Sequence, residues 1–171
     1  MKSIKKITII LIFISLTIVT VSDSYSSKSS IKWHRLDKGL QKAMKLKKPV
    51  LVDFHADWCG WCKVMDKKTF SNQNIINKIN KDYIAIKVKV DSKEALYYKS
   101  QKMTPQQFAR KVGVQGLPAF LFIDKNGRII RIVSGYQEAK IFLPILGYIK
   151  DECYNKNVTF IDYVKGKGKC K

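Results

Sequence analysis

The chain has 171 residues, 46% of them hydrophobic and 11% aromatic, with 33 lysines and arginines against 13 acidic residues and a formal charge of +20. That length suits one domain of roughly 100–200 residues, and the apolar content excludes a disordered polycation. Lysines spread over nearly every segment read as a solvated surface, so no specific nucleic acid is expected.

Lys2, Lys5 and Lys6 precede an apolar run from Ile7 to about Val21, followed by small and polar residues. This is the order of a secretory signal peptide, and the run is short for a membrane span of about 20 residues. Residues 1–26 are expected to be removed on export, with a retained N-terminal anchor as the alternative. Either outcome puts the remainder in the periplasm or otherwise outside the cytoplasm. Losing three lysines and Asp23 leaves it strongly basic. Residues 27–152 are expected to form the folded domain, and residues 153–171 a C-terminal extension.

Leu36, Leu40, Ala43 and Met44 recur at helical spacing, which predicts an amphipathic helix between Trp33 and Lys47. After Pro49, the run Val50 to Ala56 lacks polar alternation and predicts a central strand covered on both faces. A helix is expected from about Cys59 to Lys68, then a break and a second helix capped by Ser71 with Ile75, Ile76 and Ile79 on one face. Ile84 to Asp91 alternates with period two and predicts a strand with Ile84, Ile86, Val88 and Val90 inward. Glu94 to Lys102 reads as weakly helical. Thr104-Pro105-Gln106-Gln107 opens a further helix as a capping box with proline at its first position. Ala119 to Ile123 and Arg128 to Val133 predict a hairpin around Asp124-Lys125-Asn126-Gly127. A final helix is expected from about Gln137 to Asp151, with Pro144 imposing a kink or a late start at a cost of about 3 kcal/mol. The tail holds a candidate strand, Val158 to Val164. Strands separated by helices and closed by a hairpin require a layered α/β architecture with a mixed sheet.

The chemistry concentrates in Trp58-Cys59-Gly60-Trp61-Cys62-Lys63. Cys-x-x-Cys where a strand passes into a helix is a redox constellation. Free N–H groups and the helix dipole favour a thiolate at Cys59, which can attack a substrate disulfide. Cys62, one turn on, can resolve the mixed disulfide. Trp58 and Trp61 are expected to form an apolar docking surface around an exposed Cys59 sulfur, with simple packing as the alternative for each. An inert structural disulfide is the alternative for the pair. Cys153 and Cys170 supply no second closely spaced ligand pair, so no metal is expected, and no cofactor.

Asp53 lies six positions before Cys59 in an apolar strand, where burial would raise its pKa. Such a carboxylate could take the proton from Cys62, although a hydrogen-bonded polar residue at the strand end is also consistent with the pattern. Lys87 on the next strand could pair with it or remain solvated. His55 and Asp57 are expected to face solvent. Gly116-Leu117-Pro118 before a strand reads as an ordinary turn, or as a cis bond leaving backbone open near the cysteines.

The segments Val50-Leu51-Val52-Asp53-Phe54, Ala56-Asp57-Trp58-Cys59-Gly60-Trp61-Cys62-Lys63 and Gly113-Val114-Gln115-Gly116-Leu117-Pro118, with Gly135, resemble the thioredoxin superfamily in its exported thiol:disulfide interchange branch. The resemblance runs from Val50 to Ile149 and implies a thioredoxin-like fold. It implies Cys59 as attacking cysteine, Cys62 as resolving cysteine, Asp53 as buried proton acceptor, Lys87 as its modulating neighbour and Pro118 as a cis proline beside Leu117 in the substrate cleft. Trp58, Lys63, Thr69-Phe70-Ser71 and Gly116-Leu117-Pro118 look particularly like the C-terminal periplasmic domain of the Dsb-system transmembrane reductant carrier. Trp61 stands where cytoplasmic thioredoxins have proline, Lys67 where they have a helix-kinking proline, and Ser92 to Val112 is the longer segment.

The resemblance and Asp53 favour a reductase of oxidised exported proteins over a disulfide oxidase or isomerase, or over a non-enzymatic cationic envelope-binding protein. A reductase in an oxidising compartment needs a membrane-bound thiol electron donor. By family analogy its partners include cytochrome c maturation components, and the protein is expected to act as a monomer. Cys153 and Cys170 suit a structural disulfide, with free thiols, an intermolecular link or an accessory redox pair as the other readings.

Overall fold

A computed structural model describes residues 29–166 and residue 170; the expected signal segment, residues 1–26, and most of the terminal Lys-Gly run lie outside the described residues. The elements are β1 (Trp33–His34), α1 (Leu36–Leu46), β2 (Val50–His55), α2 (Gly60–Lys68), α3 (Gln73–Asp82), β3 (Ile84–Lys89), β4 (Leu96–Tyr98), β5 (Gln101–Met103), α4 (Pro105–Lys111), β6 (Ala119–Ile123), β7 (Ile129–Ser134), α5 (Ala139–Lys150), a 3-10 turn (Cys153–Asn155) and α6 (Phe160–Val164). Five strands form one sheet in the order β1-β3-β2-β6-β7. β1 and β2 run parallel to β3, whereas β6 is antiparallel to both β2 and β7.

β2 is the central strand, and Val50 through Phe54 are all buried. Its alternate residues feed two cores. Leu51 joins Phe120 and Phe122 against Met65 of α2, Ile75 and Ile79 of α3, and Phe142 and Leu146 of α5. Val50, Val52 and Phe54 join Ile86, Val88 and Leu121 against Leu36 and Ala43 of α1 and Phe108 of α4. Each fully buried phenylalanine contributes about 2–3 kcal/mol through removal of its ring from water. Phe70 packs edge-on against Phe120 and Phe142, each with ring centroids 5.9 Å apart, so the first core is largely aromatic. α1 approaches the sheet closely because Gly39 has no side chain: a Cβ there would fall 2.4 Å from Ile86.

The structure departs from the sequence reading in five places. Trp33 and His34 are not helical; they pair with Ala85 and Ile86 as an edge strand, and the helix begins at Leu36. Asn72, not Ser71, caps α3, accepting from the N–H groups of Asn74 and Ile75, while the Ser71 hydroxyl donates back to the Lys67 carbonyl. Glu94 to Lys102 is not a helix. It contains the strands of a two-stranded hairpin, turning at Lys99 and Ser100 with φ of 49° and 65°. Tyr98 anchors that hairpin, its ring 4.9 Å from Phe108, and burial of this ring outweighs the weak helical propensity. The tail segment forms α6 rather than a strand, because the Thr159 side chain accepts from the Asp162 N–H and starts a helical turn. α5 begins at Ala139, two residues later than expected, and keeps Pro144 in its interior.

Candidate active site

The short loop leaving β2 turns straight into α2, and Cys59 is the N-cap of that helix. Its Sγ accepts from the Cys62 N–H at 3.1 Å, so one of the free N–H groups of the first turn is aimed at sulfur. Cys59 and Cys62 are joined in a disulfide with Cα atoms 5.3 Å apart. The helix N-terminus stabilises negative charge on Cys59 once the bond opens.

The surroundings of the sulfurs correct one expectation. Cys59 was expected to present an exposed sulfur, but in the oxidised pair both cysteines are only 5% exposed, packed with Ala56, Val90 and Leu117. Exposure is carried instead by Trp58 and Trp61, at 71% and 61%. Trp61 stacks on Tyr136, centroids 5.6 Å apart and planes 26° from parallel. Approach to the disulfide is therefore over an aromatic rim.

The opposite wall comes from the loop before β6. The Leu117–Pro118 bond is cis; Leu117 is half-buried and Pro118 is buried. The Pro118 carbonyl accepts from the Gly135 N–H at 2.8 Å, which ties this loop to the turn carrying Tyr136. Gly135 has φ +82°, a conformation a side chain would strain.

Beneath α2, Asp53 is 3% exposed. Burial, partly opposed by the Lys87 charge, pushes its pKa from 3.8 up to about 7. In the β2–β3 register Asp53 stands beside Lys87. The Lys87 ammonium lies 3.7 Å from the Asp53 carboxylate, 2.7 Å from that of Asp66 on α2, and 5.2 Å from the Trp33 ring centroid. Lys87 is thus shared, with its short hydrogen bond going to the outer carboxylate. Lys63 is exposed on the first turn of α2, and its charge is among those holding the Asp57 pKa low. The hydrogen bond from Lys89 is the main cause of that lowering.

The structure therefore gathers Cys59, Cys62, Trp58, Trp61, Leu117 and Pro118 at one end of the sheet, with Asp53 and Lys87 below. Cys153 and Cys170 form a second disulfide at the other end, both buried. Among the described residues, no group of three or more His, Cys, Asp or Glu side chains is arranged to hold a metal ion, and no helix is long and apolar enough to cross a membrane. Three site residues escaped the sequence reading. Asp66 had a usable signal, standing four residues after Cys62 and so on the same helix face. Val90 was read as an inward strand residue rather than as a neighbour of the cysteines. Tyr136 gave no local signal, because its contact with Trp61 depends on how the turn after β7 meets α2.

The family model for the thioredoxin-like domain matches residues 36–150. The chain is 33% identical over 99 residues to a thiol:disulfide interchange protein, DsbD, of Photorhabdus laumondii, covering 56% of this chain and 15% of the relative. It is 30% identical over 120 residues to the DsbD of Campylobacter jejuni, covering 70% of this chain and 19% of the relative. The chain thus spans less than a fifth of the length of these curated relatives. A thioredoxin-fold protein from Helicobacter pylori superimposes with a TM-score of 0.60 at 23% identity, over 71% of this chain and 81% of the other. A thioredoxin from Thermus thermophilus gives 0.60 at 22% identity, over 76% and 92%.

Proposed function

The chain belongs to the thioredoxin-like domain family, and on that premise we propose that it is a protein-disulfide reductase working outside the cytoplasm on oxidised exported proteins. The observation that carries this reading is the Cys59–Cys62 disulfide at the N-cap of α2, facing Leu117 and cis Pro118, with the buried Asp53 carboxyl on the strand below.

In the reaction, the reduced protein presents Cys59 as a thiolate, which attacks one sulfur of the substrate disulfide. A mixed disulfide forms and the first substrate thiolate leaves, taking a proton from water. Asp53 takes the proton of Cys62, whose thiolate then attacks the Cys59 sulfur. The second substrate thiolate leaves, the Cys59–Cys62 bond closes, and two electrons have passed to the substrate. A carboxyl with a pKa near 7 is matched to this task at neutral pH. Lys87 modulates its charge, Lys63 adds positive potential near the sulfurs, and Trp58, Trp61, Leu117 and Pro118 receive the substrate chain.

The thiol:disulfide interchange proteins among the relatives support a second dithiol as electron source. A membrane-bound thiol carrier fits a compartment without a thiol buffer, with cytochrome c maturation components as further partners. In this reading residues 1–26 direct export, residues 27–152 are the catalytic unit and residues 153–171 brace it through Cys153–Cys170; the protein acts as a monomer and needs no cofactor. The test is insulin reduction with dithiothreitol as donor. Wild type is expected to accelerate precipitation and Cys59→Ser to do nothing; an inert wild type in both the reducing and oxidising directions would overturn the proposal.

A further inference from the structure

Resting on that reading, we propose that His55 is the proton exit of the site: it takes the proton that Asp53 receives from Cys62 and passes it to bulk water. Alternation along β2 puts Leu51, Asp53 and His55 on one face. Leu51 is fully buried, Asp53 is 3% exposed, and His55 is half-buried at the strand end. The face thus steps from apolar core through carboxyl to imidazole as it approaches the surface. Two residues of strand separate their Cα atoms by about 6–7 Å, a gap the two side chains and one water can bridge.

The strand neighbours of Asp53 cannot do this work, and Asp66, the other carboxylate near it, is held by the Lys87 ammonium at 2.7 Å. Phe120 stands beside it on β6 and Lys87 on β3. A phenyl ring carries no proton. The Lys87 ammonium has no lone pair to accept one, and it lies within 4 Å of both the Asp53 and Asp66 carboxylates. His55 can accept at one ring nitrogen and release from the other, and exchange with solvent restores the tautomer.

The charged groups around His55 are Lys87 of β3, Asp66 of α2, and Asp57 and Asp91 of the loops after β2 and β3; its register partner on β3 is Lys89. Lys89 is bonded to Asp57, and Asp91 accepts from the Asp57 N–H at 3.1 Å, so the mouth is polar and nearly balanced in charge. Burial, followed by the Lys87 charge, lowers the imidazole pKa from 6.5, leaving the ring neutral and ready to accept at pH 7.

The experiment is single-turnover stopped flow of the reduced full-length protein with a fluorescent peptide disulfide at pH 7 in dilute buffer, reading mixed-disulfide formation and peptide release separately. At pH 7 about half of the Asp53 carboxyls already carry a proton and must lose it before accepting from Cys62. His55→Phe is expected to form the mixed disulfide at the wild-type rate and to release the peptide of that fraction about tenfold more slowly, part of the ~100-fold or more that proton transfer supplies. Imidazole added to the buffer is expected to restore release in His55→Phe, but not in Asp53→Asn, which lacks the first acceptor. His55→Gln, which keeps polarity without a titrating ring, should behave like His55→Phe. Release within twofold of wild type in both variants, or slowed release that imidazole leaves unchanged in a folded variant, would overturn the relay. A wild-type protein that forms no mixed disulfide would overturn the functional reading and the relay with it.

Discussion

The Cys59–Cys62 and Cys153–Cys170 disulfides stand at opposite ends of the sheet and differ in their surroundings. The first follows the C-terminal end of β2. The second follows α5, whose last turns pack at the start of β3, where the Tyr83 hydroxyl donates to the Leu146 carbonyl at 2.6 Å. One pair closes a separation of 3 residues at a helix N-terminus, under a rim of exposed tryptophans and above a buried acid. The other closes a separation of 17 residues, and its Cys153 is completely buried. Low exposure of sulfur does not separate them, since Cys59, Cys62 and Cys170 are each 5% exposed. A helix N-terminus, a buried carboxyl and a rim of exposed tryptophans do separate them, and in the proposed function these make the first disulfide exchangeable.

The sharpest way to break this contrast is to remove the sulfurs of the first pair one at a time. Cys59→Ser is expected to lower insulin reduction by more than about 1,000-fold, because the N-cap thiolate is gone and Cys62 alone cannot close an internal disulfide. Cys62→Ser should instead trap that intermediate, visible as a stable adduct by mass spectrometry. Asp53→Asn is expected to slow the resolving step by about 100-fold in stopped flow.

Asp53→Asn also has a stability signature. In the folded protein Asp53 holds its proton to about pH 7, whereas in the unfolded chain it releases it near 3.8. The native state therefore binds more protons between these values, and stability falls as pH rises through that window. Asn removes this loss, up to about 4 kcal/mol. Thermal melts are expected to show Asp53→Asn gaining over wild type at pH 8 and not at pH 4.

At the other end of the sheet, Cys153→Ser with Cys170→Ser is expected to cost about 3 kcal/mol of stability while leaving insulin reduction within twofold of wild type. Loss of activity out of proportion to stability would give this pair a redox role. The smallest effect is on the rim. Tyr136→Ala removes a stack worth about 1 kcal/mol, so kcat/KM for protein disulfides is expected to fall about fivefold, with reduction of a small aryl disulfide unchanged.

Much of this contrast was legible in the sequence. The run Val50 to Phe54, apolar except at Asp53, marked a strand covered on both faces, and that made Asp53 conspicuous. Cys-x-x-Cys at its exit supplied the chemistry, and the capping box Thr104 to Gln107 marked α4 through local hydrogen bonds that the structure contains. What was not legible depends on contacts distant in the chain. The β4–β5 hairpin needs Phe108 beneath Tyr98. The short edge strand at Trp33 exists because β3 offers it a partner. The screening of Cys59 arises from Val90 and Leu117, some 31 and 58 residues further along, and the Trp61–Tyr136 stack joins α2 to the turn after β7, which no local pattern relates.

The most direct test of the account is a redox titration of the folded protein against dithiothreitol, with each cysteine followed by alkylation and mass spectrometry. Cys59 and Cys62 are expected to become alkylated together at the mildest potentials while Cys153 and Cys170 stay bonded. Labelling of Cys153 and Cys170 first, or of all four in a single step, would contradict it.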